Sequence, residues 1–169
     1  MTSPAASGHR LNTLLLIWNA ITGSIGVYWL FGVLLIKPSA QTSPSPLVST
    51  IVLALGASTF ATAWALYRQH IGSVEAHITP TALQRLSQAE RLLLAGRVQS
   101  GAIICLALLE APAIYGLACG LAHVTPRSLL SLLAAASLLA CLTFRMIAFP
   151  TIRRLIDTLE TPAPPAPSA

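Results

Sequence analysis

Charge is scarce in this chain. Only 9% of its residues are Asp, Glu, Lys or Arg, against about 25% in average soluble proteins. Just five are acidic. A water-facing surface cannot be built from so few, which excludes an ordinary soluble domain. The ten basic residues give a net charge of +5, but they are scattered around apolar segments with no interleaved aromatic patch, so nucleic acid is not an expected partner. Cysteine is also sparse. Cys105, Cys119 and Cys141 form no C-x-x-C pair and have no His at ligand spacing. They read as buried small hydrophobes rather than a disulfide framework or a zinc site. A Ser-His-Asp arrangement, a metal cluster and a phosphate-cradling loop are all missing, so neither catalysis nor a cofactor is expected. Alternating runs of roughly 9–11 residues, the signature of a membrane barrel, are missing too.

What the chain has instead is length of apolar sequence. Hydrophobic residues make up 54%, and the mean hydropathy is +0.72. A helix needs about 20 apolar residues to cross a bilayer core. Four segments reach that length, at about 11–36, 47–67, 98–122 and 128–149. Unpaired backbone is costly in lipid, so each is expected to be helical. The first run exceeds the roughly 7–15 residues of a signal-peptide core and is expected to stay as a membrane helix. The expected architecture is all-α, a four-helix membrane bundle of two hairpins in residues 11–149, preceded by a short tail at 1–10.

The breakers and loops carry the charge. The stretch "KPSAQTSPSP" after the first span reads as a loop, and Pro150 reads as the stop of the fourth. "TPTALQRLSQAERLLLAG" offers Thr79 as an N-cap and Pro80 at the first helical position. Leu83, Leu86 and Leu93 fall near one face, with Arg85 and Arg91 elsewhere, so an amphipathic surface helix is expected at about 80–95. A second is expected at 150–160, where Ile152, Leu155, Ile156 and Leu159 keep helical spacing. Lipid and a partner protein are equally open as its docking surface. The tail at 161–169 is Pro-rich and reads as extended and disordered.

With four spans, both termini and the middle loop share one side. That side holds Arg10, Arg68, Arg85, Arg91, Arg97, Arg153 and Arg154, and the other only Lys37 and Arg127. The bias places both termini in the cytoplasm, and the inner membrane of a bacterium is the expected location. Arg145 lies about a turn inside the cytoplasmic end of the fourth span, where it can snorkel.

Several faces stand out within the spans. The second carries a stripe of small residues, Ala54, Ala57, Ser58, Ala61, Thr62 and Ala65, and the third carries Gly116 and Gly120 as a G-x-x-x-G. Small residues let membrane helices approach closely, so these two helices are expected to pack together through them. The first span holds Asn12, Asn19, Thr22, Gly23, Ser24 and Gly26, candidate hydrogen-bond partners and packing positions, with Asn19 expected to face protein. His9, His70, His77 and His123 fall at or outside span ends and read as interfacial residues.

The most unusual residue is Glu110, twelve residues from Val98 and twelve from Ala122 in an otherwise apolar run. At about 1.5 Å per residue this is the bilayer midplane. A bare carboxylate is disfavoured there by several kcal/mol, so a neutral, hydrogen-bonding carboxyl is expected. The segment "EAPAIYGL", Glu110 to Leu117, resembles the ion-binding segment of the proteolipid c subunit of rotary ATP synthases, where Ile-Tyr-Gly follows a mid-membrane carboxylate at this spacing. The resemblance covers about 20 residues, and the rest of the chain reads as a bacterial four-helix membrane protein. It implies a carboxyl that binds and releases a proton or a sodium ion, with Tyr115 beside Glu110. On this reading Ser58 and Thr62 of the neighbouring span are further candidate ligands. Two functions follow: proton or cation handling through Glu110, or a structural or accessory role in which a neutral Glu110 locks helix packing. The expected partners are the lipid bilayer and another membrane protein or a second copy of the chain.

Overall fold

A computed structural model describes residues 5–36 and 45–161. The "KPSAQTSPSP" loop as far as Pro44, the first four residues and the Pro-rich tail from residue 162 lie outside the described residues, and so does Lys37. Among the described residues the structure is all-helical. Its elements are α1 (Ala5–Leu35), α2 (Pro46–Tyr67), a π-helical turn (Arg68–Gly72), α3 (Ser73–His77), α4 (Pro80–Arg85), α5 (Gln88–Leu121) and α6 (Arg127–Glu160). Four helical stretches are long and apolar enough to cross a membrane. Large apolar side chains such as Leu16, Leu34, Leu93, Leu139 and Met146 are exposed along them, a surface compatible with a lipid bilayer.

The helix α5 is the hub. It packs against α1, α2 and α6, while α2 barely meets α6. Its start is set by a capping box: the Ser87 hydroxyl accepts from the Glu90 backbone N–H at 3.3 Å, and Glu90 Oε2 accepts from the Ser87 backbone N–H at 2.8 Å. Its end is set by His123, whose φ of 56° turns the chain out of the helix. Between these, α5 runs parallel to α1 and antiparallel to α2 and α6.

Close approach is concentrated at glycines. A Cβ added to Gly116 would lie 3.2 Å from the Leu130 Cα, and one added to Gly32 would collide with the Leu130 side chain. Leu130, fully buried, therefore sits between α1 and α5. Ile36 lies over Gly120, where an added Cβ would come within 2.5 Å of its Cδ1. On the other side of α5, Gly56 of α2 receives the ring of Pro112, 3.5 Å from where a Cβ would stand. Pro112 removes one backbone donor from α5, yet the helix continues. Its buried ring fills the space that Gly56 leaves.

Four expectations are corrected here. Pro150 does not stop the fourth span, because α6 runs through it to Glu160. The segment expected as a separate amphipathic helix at 150–160 is the end of α6, and its apolar face docks on the chain itself. Ile152, Leu155, Ile156 and Leu159 join Leu14, Ile71, Val74, Ala95 and Val98 in one core. That packing holds the helix together past the proline, whose isolated cost in a helix is about 3 kcal/mol. The surface helix expected at about 80–95 is divided. Only Pro80–Arg85 stands apart as α4, and Gln88 onward belongs to α5. Two of its residues also face the other way: Leu93 is 74% exposed and Arg91 only 5%, while Leu83 packs on the core and Arg85 is exposed as expected. Arg91 donates from Nη2 to the Leu83 carbonyl and from Nη1 to the Thr161 carbonyl at 3.3 Å, tying α4 to the end of α6. The burial follows from these carbonyls, which replace water for the guanidinium.

The fourth correction concerns α2. It does pack on α5, but through Val52, Gly56, Thr59 and Ala63. The small-residue stripe, Ala54, Ala57, Ser58, Ala61, Thr62 and Ala65, is exposed. The Gly116–Gly120 pair faces α6 and Ile36 instead. In lipid there is no apolar driving force between helices, so smallness alone does not decide which face turns inward.

These assignments predict opposite outcomes for two substitutions. Ile156→Ala should lower stability by about 2–5 kcal/mol, because it empties a fully enclosed site. Ala61→Leu, on the exposed face of α2, should change it by less than about 0.5 kcal/mol. Denaturant unfolding of the detergent-solubilised protein, followed by circular dichroism, distinguishes them.

Candidate functional site

The face of α5 that meets α1 carries two polar residues, Gln99 and Glu110, eleven residues and so about three turns apart. Each meets a polar residue of α1. Arg10 Nη1 donates to Gln99 Oε1 at 3.2 Å. Further in, the Ser24 hydroxyl and Glu110 Oε1 form a hydrogen bond. The two helices run parallel, so one register serves both contacts. Tyr28, one turn beyond Ser24, brings its phenol beside Glu110 and Ser24.

The hydroxyl of Ser24 carries one hydrogen. It has two acceptors within reach, Glu110 Oε1 and the Ile21 carbonyl at 2.7 Å. If Glu110 is ionised, one of these contacts lacks a proton. If Glu110 is neutral, its O–H donates to Ser24 and Ser24 donates to Ile21, and both contacts are satisfied.

Among the described residues no Lys, Arg or His approaches Glu110 within 4.0 Å (the three ion pairs are Arg10–Glu160, Arg153–Asp157 and Arg154–Glu75). Arg145, the nearest by depth, is engaged elsewhere. Its guanidinium lies 4.2 Å from the centre of the Trp18 ring and 5.8 Å from that of Phe149. Trp18 in turn donates from Nε1 to the Cys141 carbonyl at 3.3 Å, holding α1 against α6 beside the Glu110 level. A cavity of about 200 Å³ between α1 and α6 reaches Ile25, next to Ser24, but Glu110 is not in its wall. Among the described residues no group of three His, Cys, Asp or Glu side chains could hold a metal ion.

The residues named from sequence as a cluster do not all meet. Glu110 stands in the α1–α5 contact. Tyr115 is five residues on, about 140° around the helix, and packs instead with Val52, Leu129 and Leu133 toward the opposite end. Ser58 and Thr62 lie on the exposed face of α2, each bonded to its own helix, at Leu55 O and Ser58 O, both 2.8 Å. Asn19, expected to face protein, is exposed. Ser24 had been singled out only as a hydrogen-bonding residue of the bundle, and Tyr28 not at all. The available signal was spacing: Ser24 and Tyr28 are four residues apart on one face of α1.

Removing the Ser24 hydroxyl should therefore perturb Glu110, and removing that of Ser58 or Thr62 should not. The carbonyl stretching frequency of Glu110, read by infrared spectroscopy with Glu110→Gln as the assignment control, should move in Ser24→Ala. It should stay in place in Ser58→Ala and Thr62→Ala.

No family model matches the chain, and no curated protein and no solved structure matches it either.

Proposed function

We propose that this is a small multi-pass protein of a bacterial inner membrane, with both termini in the cytoplasm, whose Glu110 reversibly binds a proton inside the bundle. The observation that carries this reading is the single hydrogen of Ser24, already within reach of the Ile21 carbonyl at 2.7 Å while the same hydroxyl meets Glu110. A neutral Glu110 completes that chain of bonds, and an ionised one breaks it. Loss of the proton would leave a carboxylate without a counter-ion in an apolar setting, which is costly. The contact between α1 and α5 is therefore the element that protonation would tighten or loosen. The likeness of "EAPAIYGL" to the rotary proteolipid segment supports the same chemistry. A proton is favoured over sodium because a hard cation needs several oxygen ligands, whereas the side-chain oxygens found beside this carboxyl among the described residues are the Ser24 and Tyr28 hydroxyls.

Asn19 favours an assembly with a second copy or another membrane protein. It is exposed on α1, its amide has no hydrogen-bond partner among the described residues, and it lies beside Gly23 and Gly26, where an added Cβ would meet nothing within 4 Å. An amide facing lipid alone is unfavourable. In this reading the neutral carboxyl also has a packing role, which joins the two functions expected from sequence.

The test is a pH titration of the protein in lipid vesicles by infrared difference spectroscopy. The carbonyl band of a protonated carboxyl should fade as pH rises and should be absent from Glu110→Gln at every pH. A wild-type protein without such a band, or a variant that keeps it, overturns the reading. Topology is tested apart from this: a fluorescent protein fused to the C-terminus should be bright, and a periplasm-dependent phosphatase fused there should be inactive.

A further inference from the structure

At the end of the bundle where α5 begins, a cleft of about 710 Å³ opens between α3, α4 and the first turns of α5. Its volume is that of a small-molecule site. Val74, Ile78, Leu86 and Leu94 give it apolar walls, and Arg85 and Arg97 contribute two guanidinium groups. Both arginines are exposed, and neither forms an ion pair among the described residues.

The reason they are free can be traced residue by residue. The chain has five acidic residues, and all five are engaged elsewhere. Glu75 pairs with Arg154, Asp157 with Arg153, and Glu160 with Arg10. Glu90 closes the capping box on Ser87, and Glu110 meets Ser24. Among the described residues no ion-pair partner stands against Arg85 or Arg97, so the cleft presents two positive charges beside its apolar walls.

We infer that this cleft binds the phosphate headgroup of an anionic phospholipid, with Arg85 and Arg97 on the phosphate and the apolar walls against the first part of the lipid chains. Three features select this ligand. Arginine matches phosphate oxygens with a planar fork of donors. The cleft sits where the apolar stretch of α5 begins, at Val98 directly after Arg97, which is the depth of headgroups if α5 crosses the bilayer. No Phe, Tyr or Trp lines the cleft, and its one imidazole, His77, is tied through Nδ1 to the Ser73 carbonyl at 2.7 Å, so a nucleobase would lack a broad ring to stack on. Thr79 and Thr81, whose hydroxyls lie 3.2 Å apart on the rim, are placed to hydrogen-bond the glycerol portion. The inference rests on the membrane placement of the four helices and is independent of what Glu110 does.

Native mass spectrometry of the full chain, released from detergent with added dioleoyl phosphatidylglycerol or dioleoyl phosphatidylcholine, tests it. Wild type should retain one phosphatidylglycerol in preference to phosphatidylcholine. The double variant Arg85→Gln/Arg97→Gln should lose about tenfold or more of that retention, as expected for two arginines at about 1 kcal/mol each. Arg127→Gln, at the opposite end, should retain the lipid as wild type does, with equal helicity of all three proteins by circular dichroism as the folding control. Equal retention by wild type and the double variant, or no preference between the two lipids, overturns the assignment. Inorganic phosphate is the second arm. If it binds with the same dependence on the two arginines while the phospholipid does not, the ligand is soluble and the lipid assignment fails. Alkaline carbonate extraction of cell membranes tests the membrane placement by itself, so the two failures are distinguishable.

Discussion

How closely α5 lets its neighbours approach is the constraint on which the bundle depends. Three of its contacts are made where a side chain is missing or rigid. Leu130 of α6 sits against Gly116, Ile36 lies over Gly120, and Pro112 faces Gly56 of α2. In a lipid solvent, water does not press these helices together, so shape and hydrogen bonding must do so. The contact with α1, to which Ile36 also belongs, has a second component. It is made through polar pairs, Arg10 with Gln99 and Ser24 with Glu110. One helix of the bundle is thus attached partly by polar side-chain bonds, and the other two by packing.

The positions of the spans were legible in the sequence, because hydropathy over 20 residues reads the lipid requirement directly. That Glu110 stands inside the third of these helices was legible for the same reason. Its partner was not. Which residue of α1 reaches Glu110 depends on the rotation and register of two helices that are distant in sequence, and the Ser24–Glu110 pair is separated by 86 positions. The small-residue stripe of α2 misled because periodicity identifies a face without saying whether it turns toward protein or lipid. Pro150 misled because its local penalty was read without the core that Ile152, Leu155, Ile156 and Leu159 build beyond it. Arg91 was assigned to a polar face, and its burial could be foreseen only from the two carbonyls that receive it.

Few acids and many bases make the pairing of each acid consequential. Arg10 Nε lies 2.7 Å from Glu160 Oε1, yet both carboxylate oxygens lack an aligned donor. This contact is a charge pair rather than a directed bond. With a side chain only 4% exposed, Glu160 depends on the neighbouring charge to remain at the end of α6. The same helix end receives the Arg91 guanidinium at Thr161. Helices α1, α5 and α6 therefore meet at one end through cations from two of them.

The order of α1 and α5 along the chain has a consequence for biosynthesis. Ser24 and Tyr28 are made well before Glu110, since α1 precedes α5, and chains fold N-terminal parts first as they emerge. On the proposed membrane placement, the hydroxyls that meet this carboxyl enter the bilayer before it, on a helix of the same direction. The most costly residue of the chain to insert thus arrives after its receptor has been laid down.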